Sequence, residues 1–460
     1  MTLIRSVSGV RGIVRADDPS GVTMNADVAS RMARAFVTWL VREKRGGDSV
    51  LVVGGRDGRP GGDALLGAFA DGARACGADV VDLGVVTTPG TGLMVRRFSA
   101  AGGVVVTASH NPVQWNGMKL LSGDGRALSG KQAYEVYAIC DNGGFSAVAR
   151  VQPKAAPRAN PAEEHVSAVL KTVDAERIAS RRFRVVLDSV NGAGGRVGRM
   201  LLERLGCAVV HINAEHGQPF AHTPEPVEAN LRDLCDLVRR EGADVGFAQD
   251  PDADRLAIVD ESGRFIGEEY TLVLGAKRIL QTTPGGVAVN LSTSRMIDDV
   301  VAGMGGACRV HRSAVGEANV VDVMQAQGCV AGGEGNGGLI DPRVGLIRDS
   351  VSAMAVVLDL LAASGERVSE AVATIPRYAT VKDKITCDPE RIADALAKLR
   401  RGFANQRIDD RDGVRIDWPD EKKWVHVRGS NTEPIMRLIA EARDAADAKG
   451  LLQRIRAMID

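Results

Sequence analysis

Val50-Leu51-Val52-Val53-Gly54-Gly55-Arg56-Asp57-Gly58-Arg59-Pro60 is an apolar run of strand length that breaks into a glycine-rich polar turn. Residues 63–75 continue with helical spacing, and Gly77-Ala78-Asp79-Val80-Val81-Asp82-Leu83 opens another strand. Strand, helix, strand in that order predicts a parallel βαβ unit, because a parallel partner is reached only by a crossover. The pattern recurs twice. Val185-Val186-Leu187-Asp188 precedes Asn191-Gly192-Ala193-Gly194, a helix through Leu205, and Gly206-Cys207-Ala208-Val209-Val210. Val287-Ala288-Val289-Asn290 precedes Ser292-Thr293-Ser294, a helix through Met304, and Gly306-Ala307-Cys308-Arg309-Val310. Three repeats predict an α/β protein of three similar units with helices on both faces of each sheet.

Each unit then adds one strand that ends in an unusual polar loop. Val104-Val105-Val106 feeds Thr107-Ala108-Ser109-His110-Asn111-Pro112, and Val245-Gly246-Phe247-Ala248 feeds Gln249-Asp250-Pro251-Asp252-Ala253-Asp254-Arg255. Cys329-Val330-Ala331 feeds Gly332-Gly333-Glu334-Gly335-Asn336-Gly337-Gly338. Ligands of open α/β sheets bind beyond the carboxyl ends of strands, so the three loops are expected to face one cleft. The C-terminal region reads differently. A helix from Pro389 to Leu399, strands near residues 413–416, 424–427 and 435–439, and a helix from about Ala445 predict a small α+β domain. The expected boundaries are 1–150, 151–255, 256–367 and 368–460, with Val151 to Pro161 and Ala362 to Arg367 as linkers or boundary regions.

Composition narrows the partners. A chain of 460 residues exceeds one core and divides into several domains. Lys plus Arg and Asp plus Glu balance at 58 each, which points away from nucleic acid and anionic membranes and towards a small-molecule partner. Seven single cysteines with no C-x-x-C pair argue against a zinc site or a disulfide framework and suit a reducing compartment. No apolar stretch approaches the roughly 18 residues of a membrane helix. Met1-Thr2-Leu3-Ile4-Arg5 lacks a signal-like apolar segment, so a cytoplasmic location is expected.

Ser109 stands at the end of a buried strand without the Gly-x-Ser-x-Gly elbow of a serine hydrolase, and a phosphoryl carrier is the alternative chemistry. Asp250, Asp252 and Asp254 alternate; in an extended strand end they project to one side and suit a hard cation such as Mg²⁺. An EF-hand fails, since the sixth position is Arg255 rather than glycine and both flanks read as strands. A solvated acidic turn is the competing reading. His110 follows Ser109 directly, so in extended backbone it points away from it. Lys119 serves as a general acid or base if burial or neighbouring cations lower its pKa; otherwise it is a surface lysine. The five glycines around Glu334 and Asn336 resemble a phosphate cradle, but no Gly-Lys-Ser/Thr follows and a carboxylate repels phosphate. Recognition of sugar hydroxyls or an amine fits Glu334 better. Arg428, Ser430, Asn431 and Thr432, with Arg437 as a second cation, suit an oxyanion, the alternative being a plain β-turn. Arg11, Arg56 and Arg59 lie in glycine-rich loops, where arginines more often bind than pack.

Taken in order, Thr107-Ala-Ser-His-Asn-Pro, Asp250-Pro-Asp-Ala-Asp-Arg, Gly333-Glu-Gly-Asn-Gly-Gly and Arg428-Gly-Ser-Asn-Thr-Glu-Pro resemble the phosphoglucomutase/phosphomannomutase family over the whole chain. The resemblance implies a heart-shaped enzyme around a central cleft, with three α/β/α domains built on mixed sheets and a C-terminal domain of the TATA-binding-protein-like type. It implies that Ser109 is the active phosphoserine and binds Mg²⁺ together with Asp250, Asp252 and Asp254, supported by Arg255. It places Glu334 on the sugar hydroxyls, Arg428, Ser430, Asn431 and Thr432 on the non-reacting phosphate, and Arg11, His110 and Lys119 near the reacting oxygen. Phosphoryl transfer through a hexose 1,6-bisphosphate follows, the protein being a monomer or homodimer. The family's sugar loop often reads Gly-Glu-x-Ser-Gly-His; here Asn336 and Gly338 replace Ser and His. That form is similar to the phosphoglucosamine mutase subgroup and implies glucosamine phosphate, with glucose or mannose phosphates as the alternative. A Mg²⁺-dependent sugar phosphatase and a non-catalytic sugar-phosphate sensor are the rivals from other classes.

Overall fold

The structure is a computed structural model that describes residues 3–15, 23–43, 50–146, 159–430 and 435–459. Its first sheet contains β1 (Ile4–Ser6), β2 (Gly9–Ile13), β3 (Leu51–Arg56), β4 (Asp79–Val85), β5 (Gly102–Val106) and β6 (Trp115–Ser122). The second contains β7 (Arg184–Asp188), β8 (Ala208–Ile212), β9 (Val245–Gln249) and β10 (Leu256–Asp260). The third contains β11 (Gly286–Asn290), β12 (Arg309–Ser313), β13 (Ala331–Glu334) and β14 (Gly338–Ile340). β15 (Ala379–Thr386), β16 (Arg407–Asp409), β17 (Val414–Trp418), β18 (Lys423–Gly429) and β19 (Ile435–Ala442) form the fourth.

The three repeats share one wiring. The first strand is central, the second and third lie parallel on either side of it, and a fourth returns antiparallel beside the third: β4-β3-β5-β6, β8-β7-β9-β10 and β12-β11-β13-β14. A central parallel strand is covered on both faces, which explains why it reads as unbroken apolar sequence rather than as an alternation. Val52, Val53, Val185, Val186, Leu187, Val287, Ala288 and Val289 are all fully buried. In the first sheet β2 and β1 extend the edge antiparallel beyond β6. The C-terminal sheet is wholly antiparallel, in the order β15-β19-β18-β17-β16, with helices Pro389–Gly402 and Ala445–Ile459.

Cores follow a different division from sheets. The first unit has its own core around Met32, Phe36, Leu66 and Phe69, and the C-terminal domain has one around Leu399, Trp418 and Leu438. The second and third units share one continuous core, running from Val166 and Leu201 through Val289 to Ile375. Helix Ser350–Ser364 belongs to it, and twelve of its residues are buried. Among the described residues no helix is long and apolar enough to cross a membrane.

Several expectations need correction. β10 pairs with β9 along its whole length, so the second unit runs past residue 255. Val368, Ala371 and Val372 pack into the shared core, so the third unit runs past residue 367. The expected linker from Ala362 to Arg367 is the end of helix Ser350–Ser364 and its Gly365 cap, while 151–158 of the other linker lie outside the described residues. Gly332 to Gly338 is less open than its glycines suggest, because β13 runs through Glu334 and turns back into β14. β15 and β16 were not expected. β15 carries Lys382, Asp383 and Lys384 on an edge, and charge of that kind masks a strand in sequence while protecting its edge.

Candidate active site

The Ser109 loop is shaped by backbone geometry and one buried arginine. Ser109 has φ +50°, a left-handed conformation uncommon outside glycine, so the strand alternation ends there. His110 consequently does not point away: its Nδ1 lies 3.4 Å from Ser109 Oγ, contrary to the expectation from extended backbone. Thr107 Oγ1 accepts from Ser109 N at 2.8 Å and donates to Asp57 Oδ2 at 2.6 Å. Arg59 pairs with Asp57 at 2.8 Å and donates to the carbonyls of Ser109 and Trp115. It is 2 % exposed, so Arg59 packs the loop from behind rather than offering itself to a ligand. Arg56 ends β3, half-buried. Arg11, on β2, donates to Asn111 Oδ1 at 3.0 Å from the other side of the loop.

Asp250, Asp252 and Asp254 come together on a turn, not on an extended strand end. β9 stops at Gln249 and Ala253 is left-handed at φ +56°. Backbone bonds hold the turn from three units: Thr88 N donates to Asp252 O, Ala193 N to Pro251 O and Ser350 N to Ala253 O. Ser109 Oγ donates to Asp250 Oδ2 at 2.8 Å across 141 residues of sequence. Lys119 Nζ bridges Asp252 Oδ2 at 2.6 Å and Asp254 Oδ2 at 2.7 Å, and Thr88 Oγ1 donates to Asp252 at 2.5 Å. Arg255 contributes its backbone N to Asp250 Oδ1 at 3.1 Å, and its guanidinium stands 3.8 Å from Asp254.

Burial and charge set the protonation of this group. Burial raises Asp250 well above the carboxylate range, reinforced by Asp254 and Asp252. Burial raises Asp254 too, but Arg348, Lys119 and Arg255 outweigh it and hold it below that range. Burial lowers Lys119, yet Asp252 and Asp254 more than offset this, so the ammonium is held above its ordinary value and the lowering on which an acid–base role was conditional is absent. His110 is pushed down to about 2, first by burial and then by Arg255 and Arg11.

The three carboxylates suit a cation. One ligand oxygen from each lies within 4.8 Å of the others. Asp252 Oδ1 and Asp254 Oδ1 are buried acceptors with no hydrogen-bond partner, an expensive arrangement unless something positive sits there.

These residues back a cleft of about 490 Å³ lined by all four domains. Arg11, His110 and Lys119 line it from the first, Arg255 from the second, Glu334, Asn336 and Arg348 from the third, and Arg428, Ser430 and Arg437 from the fourth. Ser109 and the three aspartates are buried behind this wall. Glu334 is fixed by Asn290 Nδ2 at 2.8 Å, Gly316 N at 3.1 Å and Arg348 at 2.6 Å. Arg428 and Arg437 face each other across β18 and β19, and Ser430 N donates to Ile435 O. Asn431 and Thr432 lie outside the described residues.

Sequence reasoning missed Thr88, Asn290, Glu317 and Arg348. Thr88 follows Thr87, which caps helix Thr88–Arg97 by accepting from Gly90 N, and Arg348 precedes the capping Asp349. Both capping signatures were readable; the side chains beside them acquire meaning only from distant partners.

Four loops, one from each domain, around a cleft with a shielded serine and a cation-ready acid cluster are the arrangement of a phosphohexomutase. Residues 3–147, 163–263 and 267–378 match α/β/α domains I, II and III of phosphoglucomutase/phosphomannomutase, and residues 378–458 match its C-terminal domain. The chain belongs to the phosphoglucomutase/phosphomannomutase family and is an isomerase of the mutase type. It is 38% identical over 448 residues to a probable phosphoglucosamine mutase of Methanopyrus kandleri, covering 96% of this chain and 95% of the relative. It is 36% identical over 451 residues to a phosphoglucomutase/phosphomannomutase of Thermococcus kodakarensis, covering 97% and 96%. A solved family protein of Burkholderia thailandensis superposes with a TM-score of 0.83 at 27% identity, covering 98% of this chain and 96% of that one.

Proposed function

We propose that the protein interconverts glucosamine 6-phosphate and glucosamine 1-phosphate through phospho-Ser109 and a hexose 1,6-bisphosphate. The observation that carries the serine's role is its placement: Ser109 Oγ is held 2.8 Å from Asp250, in an acid cluster with two buried carboxylate oxygens that lack hydrogen bonds. His110 Nδ1 stands 3.4 Å from this hydroxyl, and phosphoryl transfer through such a serine depends on positioning and charge neutralisation. Asp250, Asp252, Asp254 and the phosphorylated Ser109 would hold Mg²⁺, which neutralises charge on the transferred group when bound.

In the forward half-reaction the phosphoserine P–O bond breaks and a P–O bond to the sugar hydroxyl forms. The hydroxyl proton needs an acceptor beside Ser109. Neutral His110 has a lone pair there, whereas Lys119 becomes an acceptor only after releasing its proton. The bisphosphate then turns over, its other phosphate returns to Ser109, and the isomeric monophosphate leaves. At the far end, Arg428, 3.7 Å from Asp412, faces Arg437 across the ladder, and two guanidinia so placed attract a dianion, so Arg428, Ser430, Asn431, Thr432 and Arg437 serve the non-reacting phosphate. Glu334 and Asn336 face the sugar. Glucosamine is favoured by the name of the Methanopyrus kandleri relative and by the sugar loop's form; the name of the Thermococcus kodakarensis relative supports glucose or mannose phosphates as the second reading.

A coupled assay over glucosamine, glucose, mannose and N-acetylglucosamine phosphates, with intact-mass measurement of the enzyme, tests this. Turnover should be highest on glucosamine phosphate, with one phosphate on Ser109 after exposure to hexose 1,6-bisphosphate. Full mutase activity in Ser109→Ala would defeat the proposal, and stoichiometric release of inorganic phosphate would make the enzyme a phosphatase.

A further inference from the structure

Arg348 is engaged in the cleft by three acids from different elements: a turn, the end of β13 and the start of helix Glu317–Gln327. Its guanidinium reaches Asp254 Oδ2 at 2.7 Å on the acid turn, Glu334 Oε2 at 2.6 Å on the sugar loop and Glu317 Oε2 at 3.0 Å. A fourth bond reaches Asn336 Oδ1 at 3.3 Å. The side chain is 9% exposed, and its partners Asp254, Glu334 and Glu317 are 0%, 7% and 14% exposed. In so little water these pairs are weakly screened, and changing one changes the charge felt by the others. The backbone is shaped for this guanidinium. A Cβ on Gly338 would stand 2.1 Å from Arg348 Cδ, so no larger residue fits there unless Arg348 withdraws.

Resting on the function proposed above, we infer that Arg348 is a positioning residue that couples the cation site to the sugar site. On Asp254 it holds Oδ2 and leaves Oδ1 as a buried acceptor without a hydrogen bond, with the Arg255 guanidinium 3.8 Å away. On Glu334 it completes a set of donors with Asn290 and Gly316, fixing the carboxylate that faces the sugar. A guanidinium has a planar fork that can serve several acceptors at once, while an ammonium is a single compact charge. Glu334 thus competes with Asp254 for one cation. When Glu334 loses its charge, the guanidinium pairs more fully with Asp254, which becomes a poorer ligand for Mg²⁺.

The test is a double-substitution cycle on full-length protein without sugar, with Mg²⁺ affinity measured by titration calorimetry on wild type, Glu334→Gln, Arg348→Lys and the double variant. Arg348→Lys keeps a positive charge among the buried acids, and circular dichroism checks that each variant folds. Glu334→Gln should weaken Mg²⁺ binding about fivefold in the wild-type background. In the Arg348→Lys background the same change should move it by less than about 1.5-fold. Equal shifts in both backgrounds, or none in either, would overturn the coupling while leaving the functional reading standing. A wild-type protein that binds no Mg²⁺ at all would overturn both.

Discussion

Replacing Arg59 by methionine tests how the Ser109 loop is held. The Arg59 side chain is 0% exposed, and it pairs with Asp57, also 0% exposed, while donating to the carbonyls of Ser109 and Asn111 in the loop and of Trp115 at the start of β6. Methionine has similar bulk, so little cavity is left and the electrostatic loss dominates. Asp57 would keep only Thr107 Oγ1 and the amide of residue 59. Stranding one partner of a buried pair costs about 3–5 kcal/mol. At about 2–4 °C per kcal/mol for a unit of this size, the melting transition of the first domain should fall by about 6–20 °C. Differential scanning calorimetry reads this directly. Adding Asp57→Asn should restore part of the loss, because the stranded charge is then gone.

The pH dependence carries its own sign. Burial already raises Asp57 above the usual carboxylate range, against the pull of Arg59 and Thr107. Without Arg59 it rises further. A carboxyl whose folded pKa exceeds its unfolded value loses stability as pH climbs through the folded pKa, so the penalty should be smaller at pH 5 than at pH 8. A variant melting within about 2 °C of wild type at pH 8, or equally penalised at both pH values, would refute the reasoning.

Three further outcomes are expected. The ring resonances of His110 should not titrate between pH 8 and 4, because burial and two guanidinia hold it neutral down to about 2; since the unfolded imidazole protonates near 6.5, this site costs about 1.4 kcal/mol of stability per pH unit below that value, visible in urea titrations. Gly192→Ala places a Cβ 2.5 Å from Pro251 O, pushing the acid turn out of place, and should lower kcat roughly 10- to 100-fold in the coupled assay. Gly338→Ala displaces Arg348 and should raise KM for the sugar phosphate, with a smaller effect on kcat; an unchanged KM would mean that the guanidinium does not set the pose of Glu334.

The four loops and their order were legible because each combines a strand end with residues too polar to be there by packing. The threefold wiring was legible as well, since a buried parallel strand leaves an unbroken apolar run. What escaped depends on long-range pairing. Arg348 meets Asp254 across 94 residues and Lys119 meets Asp252 across 133, and local sequence contains no trace of either. His110 was misjudged because the left-handed turn at Ser109 is set by Arg59 and Thr107 behind it, not by a glycine that would have announced it. For Lys119 the condition of a lowered pKa is not met, because its cationic neighbours matter less than the two acids it touches.

The shared core of the second and third units divides the enzyme mechanically in a way its four sheets do not. On heating, the protein should show three calorimetric transitions rather than four. A fragment spanning 163–378 should fold, whereas 163–263 alone would expose half of a core. The acid turn and the sugar loop therefore ride on one chassis, while the serine and the distal arginines belong to units with cores of their own.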